Sequence, residues 1–350
     1  MSAHFNRSQA QTEAEPLPHF WRFQPQYFHK IWGGDRLRVL LNKDTGVVNP
    51  CGESWELSDV PSGPSKVVDG PFKGMSLTEV LKRYGKQIMG HGWDEGLASN
   101  NRFPLLIKFL DAREDLSVQV HPNDELAFQR HGCPGKTEMW YVLEAEPGAT
   151  LITGFNGPMD AETYTRMLQA GRILEVLNRE PVAAGDVFFI PAGRIHTIGR
   201  GIVLAEIQQS SDITYRLYDF DRVDEQGQRR ELHTEEALAA LDFHPYTSYR
   251  TPYSRISNTP IELVHCDYFR TFLLELTQPL VRTGADHRGF RIYMVVKGSG
   301  CIKSSQELVG LSLGDTVLVS AKASELEVRP DAGGMTLLET GLPATDRVGA

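Results

Sequence analysis

The chain has 350 residues, 41% of them hydrophobic and 23% charged, an ordinary balance for a soluble globular protein with room for two or three domains. Its 36 Lys and Arg against 45 Asp and Glu leave a net charge of −9, which argues against a general nucleic-acid binder but leaves room for a local basic pocket that takes an anion. No apolar run approaches the ~20 residues of a membrane span. The four cysteines Cys51, Cys133, Cys266 and Cys301 form no C-x-x-C pair, so no disulfide framework or cysteine zinc site is indicated, and a reducing cytoplasm fits.

From the N terminus, residues 1–18 are polar, lack an apolar signal core and end Glu15-Pro16-Leu17-Pro18, so they read as a disordered tail. Beyond them, short β-branched and aromatic runs alternate with Gly, Pro and Asp, the rhythm of an all-β sandwich or barrel. Helices interrupt it at three places. Ser76 and Glu79 form a capping box ahead of Leu77, Val80, Leu81, Tyr84 and Ile88, which recur at helical spacing. A second helix is predicted over Ala161 to Ala170 with Gly171 as its stop, and a third from about Glu235 to Leu241 with Thr234 as its cap.

An internal repeat overlies this pattern. Gly185-Asp186-Val187-Phe188-Phe189-Ile190-Pro191-Ala192 recurs as Gly314-Asp315-Thr316-Val317-Leu318-Val319-Ser320-Ala321, and Tyr141-Val142-Leu143 recurs as Tyr293-Met294-Val295. On these anchors Phe290 falls opposite Glu138, and Glu325 opposite His196. The prolines and Ser/Thr between Thr247 and Pro260 mark the joint between the copies.

The first copy carries a candidate metal constellation. In the strand Ser117-Val118-Gln119-Val120-His121-Pro122, residues 117, 119 and 121 share a face, with Val118 and Val120 on the other. Glu138 opens the next strand, Met139 to Leu143. The run from Gly185 to His196 is an apolar strand that ends in a Pro-x-Gly turn and then presents the histidine. A lone inward histidine is more often a hydrogen-bonded core residue than a ligand. The joint spacing of the two histidines, the glutamate and the turn is what makes the set specific, and it looks like a cupin metal site. Two imidazoles, one carboxylate and one amide oxygen suit zinc, with iron, manganese or cobalt as alternatives.

At these residues the chain resembles type I phosphomannose isomerases in their short bacterial form, from about Pro18 to Glu339. The strongest pieces are Trp32-Gly33-Gly34, Gly52-Glu53-Ser54-Trp55-Glu56, Pro104 to Asp124, Gly135 to Tyr141, Gly185 to His196 and Glu206 to Asp221. The resemblance implies one zinc ion per chain, held by Gln119, His121, Glu138 and His196. It also implies interconversion of mannose 6-phosphate and fructose 6-phosphate through an enediol. With only 58 positions between Glu138 and His196, the helical insertion of longer relatives is expected to be absent.

That reaction needs a base, a partner for enediolate charge and an anchor for phosphate. The resemblance places Lys108, Lys136 and Arg216 in the active site. Lys108 sits inside the apolar run Leu106-Ile107-Lys108-Phe109, a costly place for an unpaired charge. Lys136 precedes Glu138 by two residues. Arg216 can fork two hydrogen bonds to phosphate or to an enediolate oxygen, its alternative being a structural bridge to Asp212 or Asp219. Lysine, Asp212 or a metal-bound water could act as base. Ser117 shares the strand face of Gln119 and is a pocket candidate; Glu53 and Trp55 are expected to wall or brace the pocket. A histidine that some relatives carry before the Gly-Lys pair is replaced here by the stretch Cys133-Pro134-Gly135, so a mechanism requiring it would not transfer.

The expected architecture is mainly β: two cupin-type (jelly-roll) barrels with a few peripheral helices, the second without metal ligands. The expected divisions are a tail at 1–18, a catalytic domain at 19–248 and a C-terminal domain at 249–350. The implied partner is a phosphosugar, with no nucleic acid and no membrane, and the chain is expected to be monomeric. A sugar-phosphate sensor, a cupin dioxygenase and a bifunctional nucleotidyltransferase are the competing readings. Intact Lys136, Asp212 and Arg216 speak against the first, the glutamine against the second, and the lack of a separate nucleotide-binding domain against the third.

Overall fold

The computed structural model describes residues 16–90, 93, 102–224, 226–283 and 289–343. Its architecture is mainly β with a few helices, as the Gly/Pro/Asp punctuation predicts. A six-stranded antiparallel sheet runs in the order Val187–Ile190, Glu138–Ala145, Ile202–Gln209, Leu105–Ala112, Gln26–Gly34 and Cys51–Leu57. Across an apolar layer that includes Trp32, Leu110, Trp140, Val142, Leu151, Phe188 and Ile198 lies a five-stranded sheet. Its order is Leu177–Pro181, Thr150–Phe155, His196–Thr197, Val118–Val120 and Tyr215–Tyr218.

Period-two alternation decides what enters the space between these sheets. Ile107, Phe109, Met139, Tyr141, Ala205 and Ile207 leave by the outer face of the large sheet. They pack there with Leu77, Val80, Leu81 and Ile88 of the helix Leu77–Met89, with Phe290, and with Ile292 and Leu318 of the C-terminal sheet. Lys108, Glu138, Trp140 and Glu206 occupy the alternate positions and are buried. Both faces are covered, which is why these strands read as nearly unbroken apolar runs. On the smaller sheet, Val118 and Val120 pack outward with Tyr164 and Ala237 of the peripheral helices, and Gln119 takes the other parity.

The third sheet has eight strands and contains the C-terminal repeat. The long strands Arg291–Lys303 and Glu325–Gly341 pair along most of their length, with register shifts at Val295/Lys297 and Gly298/Gly300. Gly298, at φ 72°, is required there, because a Cβ would meet Gly334 O at 2.1 Å. Phe20–Trp21 pairs with Leu318 and Val319, so an N-terminal segment completes the C-terminal sheet across the expected division at 248/249. The tail reading of 1–15 lies outside the described residues. Within 16–18, Leu17 is buried in the core.

The repeat has matching turn geometry but a corrected register. Val142 N donates to Asp186 O and Gly185 N to Val142 O; Val295 N donates to Asp315 O and Gly314 N to Val295 O. Gly185 and Gly314 sit at φ 92° and 91°. Val142 therefore corresponds to Val295, which puts Arg291, not Phe290, at the place of Glu138. Matching tyrosine to tyrosine slipped the alignment by one residue, because Tyr293 stands where the first copy has Trp140.

The helix Leu77–Met89 begins at Ser76 with both halves of the capping box formed. The second helix, Ala161–Gln169, stops before Gly171 at φ 67°. The third, Thr234–Ala240, has Thr234 inside it and His233 before it, with no side-chain cap bond. His233 is engaged elsewhere: its backbone N–H donates to Arg216 O, and its Nδ1 accepts from Arg216 N. A helix not expected from periodicity, Asp124–His131, buries only Ala127 and is defined by its ends. Asn123 caps Leu126 N, and Gly132 closes it in the left-handed region. Among the described residues no helix is long and apolar enough to cross a membrane.

Candidate metal centre and adjoining cleft

Ladder register brings the constellation together. Gln119 lies opposite His196 on one side and Arg216 on the other. Glu138 lies opposite Ile190 and Gln208. One donor atom from each of His121, Glu138 and His196 lies within 4.8 Å of the others, and all three side chains are buried. Gln119 borders them, its Nε2 3.2 Å from His196 Nε2. Nitrogen and oxygen of an amide are assigned from their neighbours, and half a turn about its last torsion presents Oε1 instead.

Two backbone carbonyls set the imidazole tautomers. His121 Nδ1 donates to Ile213 O at 2.9 Å and His196 Nδ1 to Arg194 O at 2.8 Å. A carbonyl can only accept, so each Nε2 keeps its lone pair. These atoms lie 3.6 Å from Glu138 Oε2 and 3.5 Å from Oε1. Burial holds both rings neutral: His121 is pushed far below the ordinary imidazole value, and His196 down to about 3. Burial, and then the charge of Glu206, push Glu138 up to about 7 against the pull of Lys136. Lys136 Nζ stands 2.7 Å from Glu138 Oε2 and 3.0 Å from His121 Nε2. Lys136 thus engages Oε2, whereas the buried Oε1 has no donor among the described residues. Such a donor set could hold a divalent ion, which would satisfy the oxygen that the protein leaves open.

Beside this centre is a cleft of about 130 Å³. Lys30, Lys108, Lys136, Arg216 and Arg230 line it together with Glu53, Glu206 and Asp212, an excess of cations in an acidic chain. Ser117, Gln119 and Trp55 also reach it. Every residue proposed from sequence for substrate or catalysis thus borders one space.

Their charge states differ. Lys108 Nζ lies 3.3 Å from Glu206 and 3.6 Å from Glu53, and 5.2 Å from the Trp55 ring centroid. Glu206 and Glu53 are further bound by Trp140 Nε1 at 2.9 Å and Trp55 Nε1 at 2.7 Å, and Lys30 adds a 3.0 Å contact to Glu53. Lys108 is largely neutralised. Arg216 makes no ion pair among the described residues. Its Nη1 donates to Glu231 O at 2.8 Å, and its Nε is buried without a partner. The bridge to Asp219 is not formed, because Arg222 and Arg230 hold that carboxylate at 2.5 Å; Asp212 instead accepts from Ser62 Oγ at 3.0 Å. Burial, and then Arg230, lower the Arg216 pKa, as befits a cation short of anions.

Sequence reasoning passed over Lys30, Glu206 and Arg230. Glu206 carried a usable signal, a lone acid in Leu204-Ala205-Glu206-Ile207 that mirrors Lys108 and faces it in register. Arg230 comes from an irregular segment without periodicity, and only the fold reveals its place.

The network makes one pH prediction. Burial alone would raise the Glu53 pKa, but Lys108, Lys30 and the Trp55 N–H outweigh it and lower it to about 2. A carboxylate depressed in the folded state contributes stability above its unfolded value and loses it as pH falls through the folded one. Stability should therefore decline between about pH 4.5 and 2 through this group. In urea titrations across that window, Glu53→Gln should start less stable and fall less steeply; parallel curves would refute the assignment.

Two sheets that turn neutral imidazoles and a carboxylate onto one point, at the edge of a cation-rich cleft, define a β-protein with a candidate metal centre suited to an anionic ligand. Residues 20–157 match the family described as phosphomannose isomerase type I, catalytic domain. The chain is 43% identical to a mannose-6-phosphate isomerase of Streptococcus mutans over 228 residues, covering 65% of this chain and 68% of that one. It is 34% identical to the mannose-6-phosphate isomerase ManA of Bacillus subtilis over 316 residues, 87% of this chain and 94% of the relative. The crystal structure of the mannose 6-phosphate isomerase from Bacillus subtilis has a TM-score of 0.82 at 31% identity, covering 93% of this chain and 100% of that one. The chain belongs to the type I phosphomannose isomerase family.

Proposed function

We propose that this protein is a zinc-dependent mannose-6-phosphate isomerase that interconverts mannose 6-phosphate and fructose 6-phosphate through an enediol. The observation that carries the reading is the buried His121, Glu138 and His196 set, in which Glu138 Oε1 has no hydrogen-bond donor, opening onto a cleft richer in cations than in carboxylates. The two facing sheets read as a cupin barrel, and the C-terminal sheet, with Arg291 and Glu325 in place of two ligands, as a second barrel without a metal.

Gln119, His121, Glu138 and His196 would hold the zinc. When bound, the ion supplies a Lewis acid for sugar oxygens that become negative as the enediol forms. The chain supplies the rest. Arg216, short of counter-charge, holds an anionic oxygen of the substrate. Lys136, which lines the cleft beside the metal centre, is the candidate to hold or pass the proton, and Asp212 is the alternative base. Ser117 and Lys108 complete the wall, with Lys108 contributing through Glu53 and Glu206 more than as a free cation.

A coupled assay for fructose 6-phosphate formed from mannose 6-phosphate tests this on metal-analysed protein. Turnover should vanish on chelation and return with zinc. Absence of turnover with one zinc bound per chain would remove the isomerase reading and leave a phosphosugar sensor.

A further inference from the structure

The segment that carries Lys136 is tied down at three consecutive backbone amides. Gly135 N donates to Asp124 Oδ1 at 2.8 Å, Lys136 N to Pro122 O at 3.1 Å and Thr137 N to Gln209 Oε1 at 2.8 Å. Two of these acceptors are coupled, because Gln209 Nε2 donates to the same Asp124 Oδ1 at 2.9 Å. Asp124 Oδ2 points the other way and accepts from Tyr268 OH at 3.0 Å. Tyr268 lies between the strands Ile261–His265 and Arg270–Leu276 of the C-terminal sheet.

Packing does little of this work on the far side of the loop. There Cys133, Pro134, Asp124, Gln209 and Tyr268 border a separate cavity of about 340 Å³. On the near side the approach is tight: a Cβ on Gly135 would stand 2.6 Å from Asn123 C and Asp124 N. The loop is therefore pressed onto the start of the helix Asp124–His131, and the Asp124 carboxylate joins two of its restraints, directly at Gly135 and through the Gln209 side chain at Thr137, beside the backbone bonds from Lys136 N to Pro122 O and from Gln209 N to Thr137 O.

We propose that Asp124, oriented by Tyr268, is the positioning residue for Lys136, so that the C-terminal β-unit takes part in the reaction through a hydroxyl rather than a metal ligand. This rests on the role given to Lys136 above. A carboxylate at the first helical position has several rotamers open to it. The Tyr268 hydroxyl selects the one in which the other oxygen bridges Gly135 and Gln209, and the Gln209 amide passes the restraint on to Thr137. Lys136 is held between those two anchors, with its Nζ at Glu138 and His121. Asp124 and Tyr268 are absent from the residues lining the catalytic cleft, so they act through the loop alone.

The test uses the full chain with its metal and the variants Tyr268→Phe, Asp124→Ala, Asp124→Asn and Tyr268→Phe/Asp124→Ala. Amide hydrogen exchange at residues 135–137 should quicken at least about tenfold in Tyr268→Phe, the scale of one lost hydrogen bond to a charged acceptor. The kcat for mannose 6-phosphate should fall by a similar factor, with KM and bound metal unchanged. Asp124→Ala should have a larger effect on both readouts, Asp124→Asn should recover part of it, and Tyr268→Phe should add nothing in the alanine background. Wild-type exchange and kcat in Tyr268→Phe, or full additivity in the double variant, would overturn the proposal. The exchange readout stands whether or not the wild type turns over this sugar. A failure of the functional reading shows as an inactive wild type, and a failure of the clamp as unaltered exchange.

Discussion

His121→Ala is expected to lose its bound metal and its turnover together, with kcat down at least about a thousandfold, the scale of the several kcal/mol a metal ion contributes to developing charge. The loss should be cooperative. His121 Nε2 is one of two nitrogens that face Glu138, and its Nδ1 is oriented by Ile213 O. Without the ring, Glu138, His196 and Gln119 remain, and the carboxylate is left to Lys136 alone. Burial, and then Glu206, raise the Glu138 pKa, so the one carboxylate left in the set draws the ion less strongly than a solvated one would. Metal analysis and the coupled assay on the same preparation decide the point, with a melting curve on the metal-free wild type as the reference for folding. A variant that keeps stoichiometric zinc would remove His121 from the donor set. One that loses zinc yet turns over at the wild-type rate would remove the metal from the reaction.

What the amino-acid sequence disclosed, and what it withheld, follows from how locally each feature is encoded. The clustering of the candidate donors was legible because strand parity and the Pro191-x-Gly193 turn are short-range patterns, and period two places Gln119 apart from Val118 and Val120 without knowledge of the partner strand. The charged wall was half legible. Lys108 stood out as a charge in an apolar run, but the meaning of that charge depends on Glu206, 98 positions later and directly opposite in the ladder. Arg230 was not legible, since its place depends on an irregular segment returning to Asp219. The helix after Asn123 was missed because only one of its side chains is buried, so its caps carried all the signal. The register of the repeat was missed because letter identity favoured Tyr141 with Tyr293, whereas hydrogen bonding pairs by position on the ladder.

Arg216→Ala and Lys108→Met should separate two cations that line the same cleft. Arg216 makes no ion pair among the described residues, and burial disfavours its charge. Its removal gives up one bond to a carbonyl and relieves a buried N–H with no partner, so stability should move by no more than about 1 kcal/mol. Turnover should fall about 10²- to 10³-fold with zinc retained, the range seen when one preorganised donor to a developing anion is removed. Lys108 is the opposite case. It stands between Glu53 and Glu206, both buried, and its loss leaves two carboxylates facing each other without the cation they share. Breaking a buried pair from one side costs about 3–5 kcal/mol. Lys108→Met should therefore melt markedly earlier, and its activity should fall as the folded fraction does. Melting curves and kcat/KM measured side by side distinguish the two. A fully active Arg216→Ala would take Arg216 out of the proposed chemistry, and an unshifted melting point in Lys108→Met would mean that Glu53 and Glu206 find another counter-charge. The expected contrast assigns the unpaired cation to the substrate and the paired one to the wall that shapes the cleft.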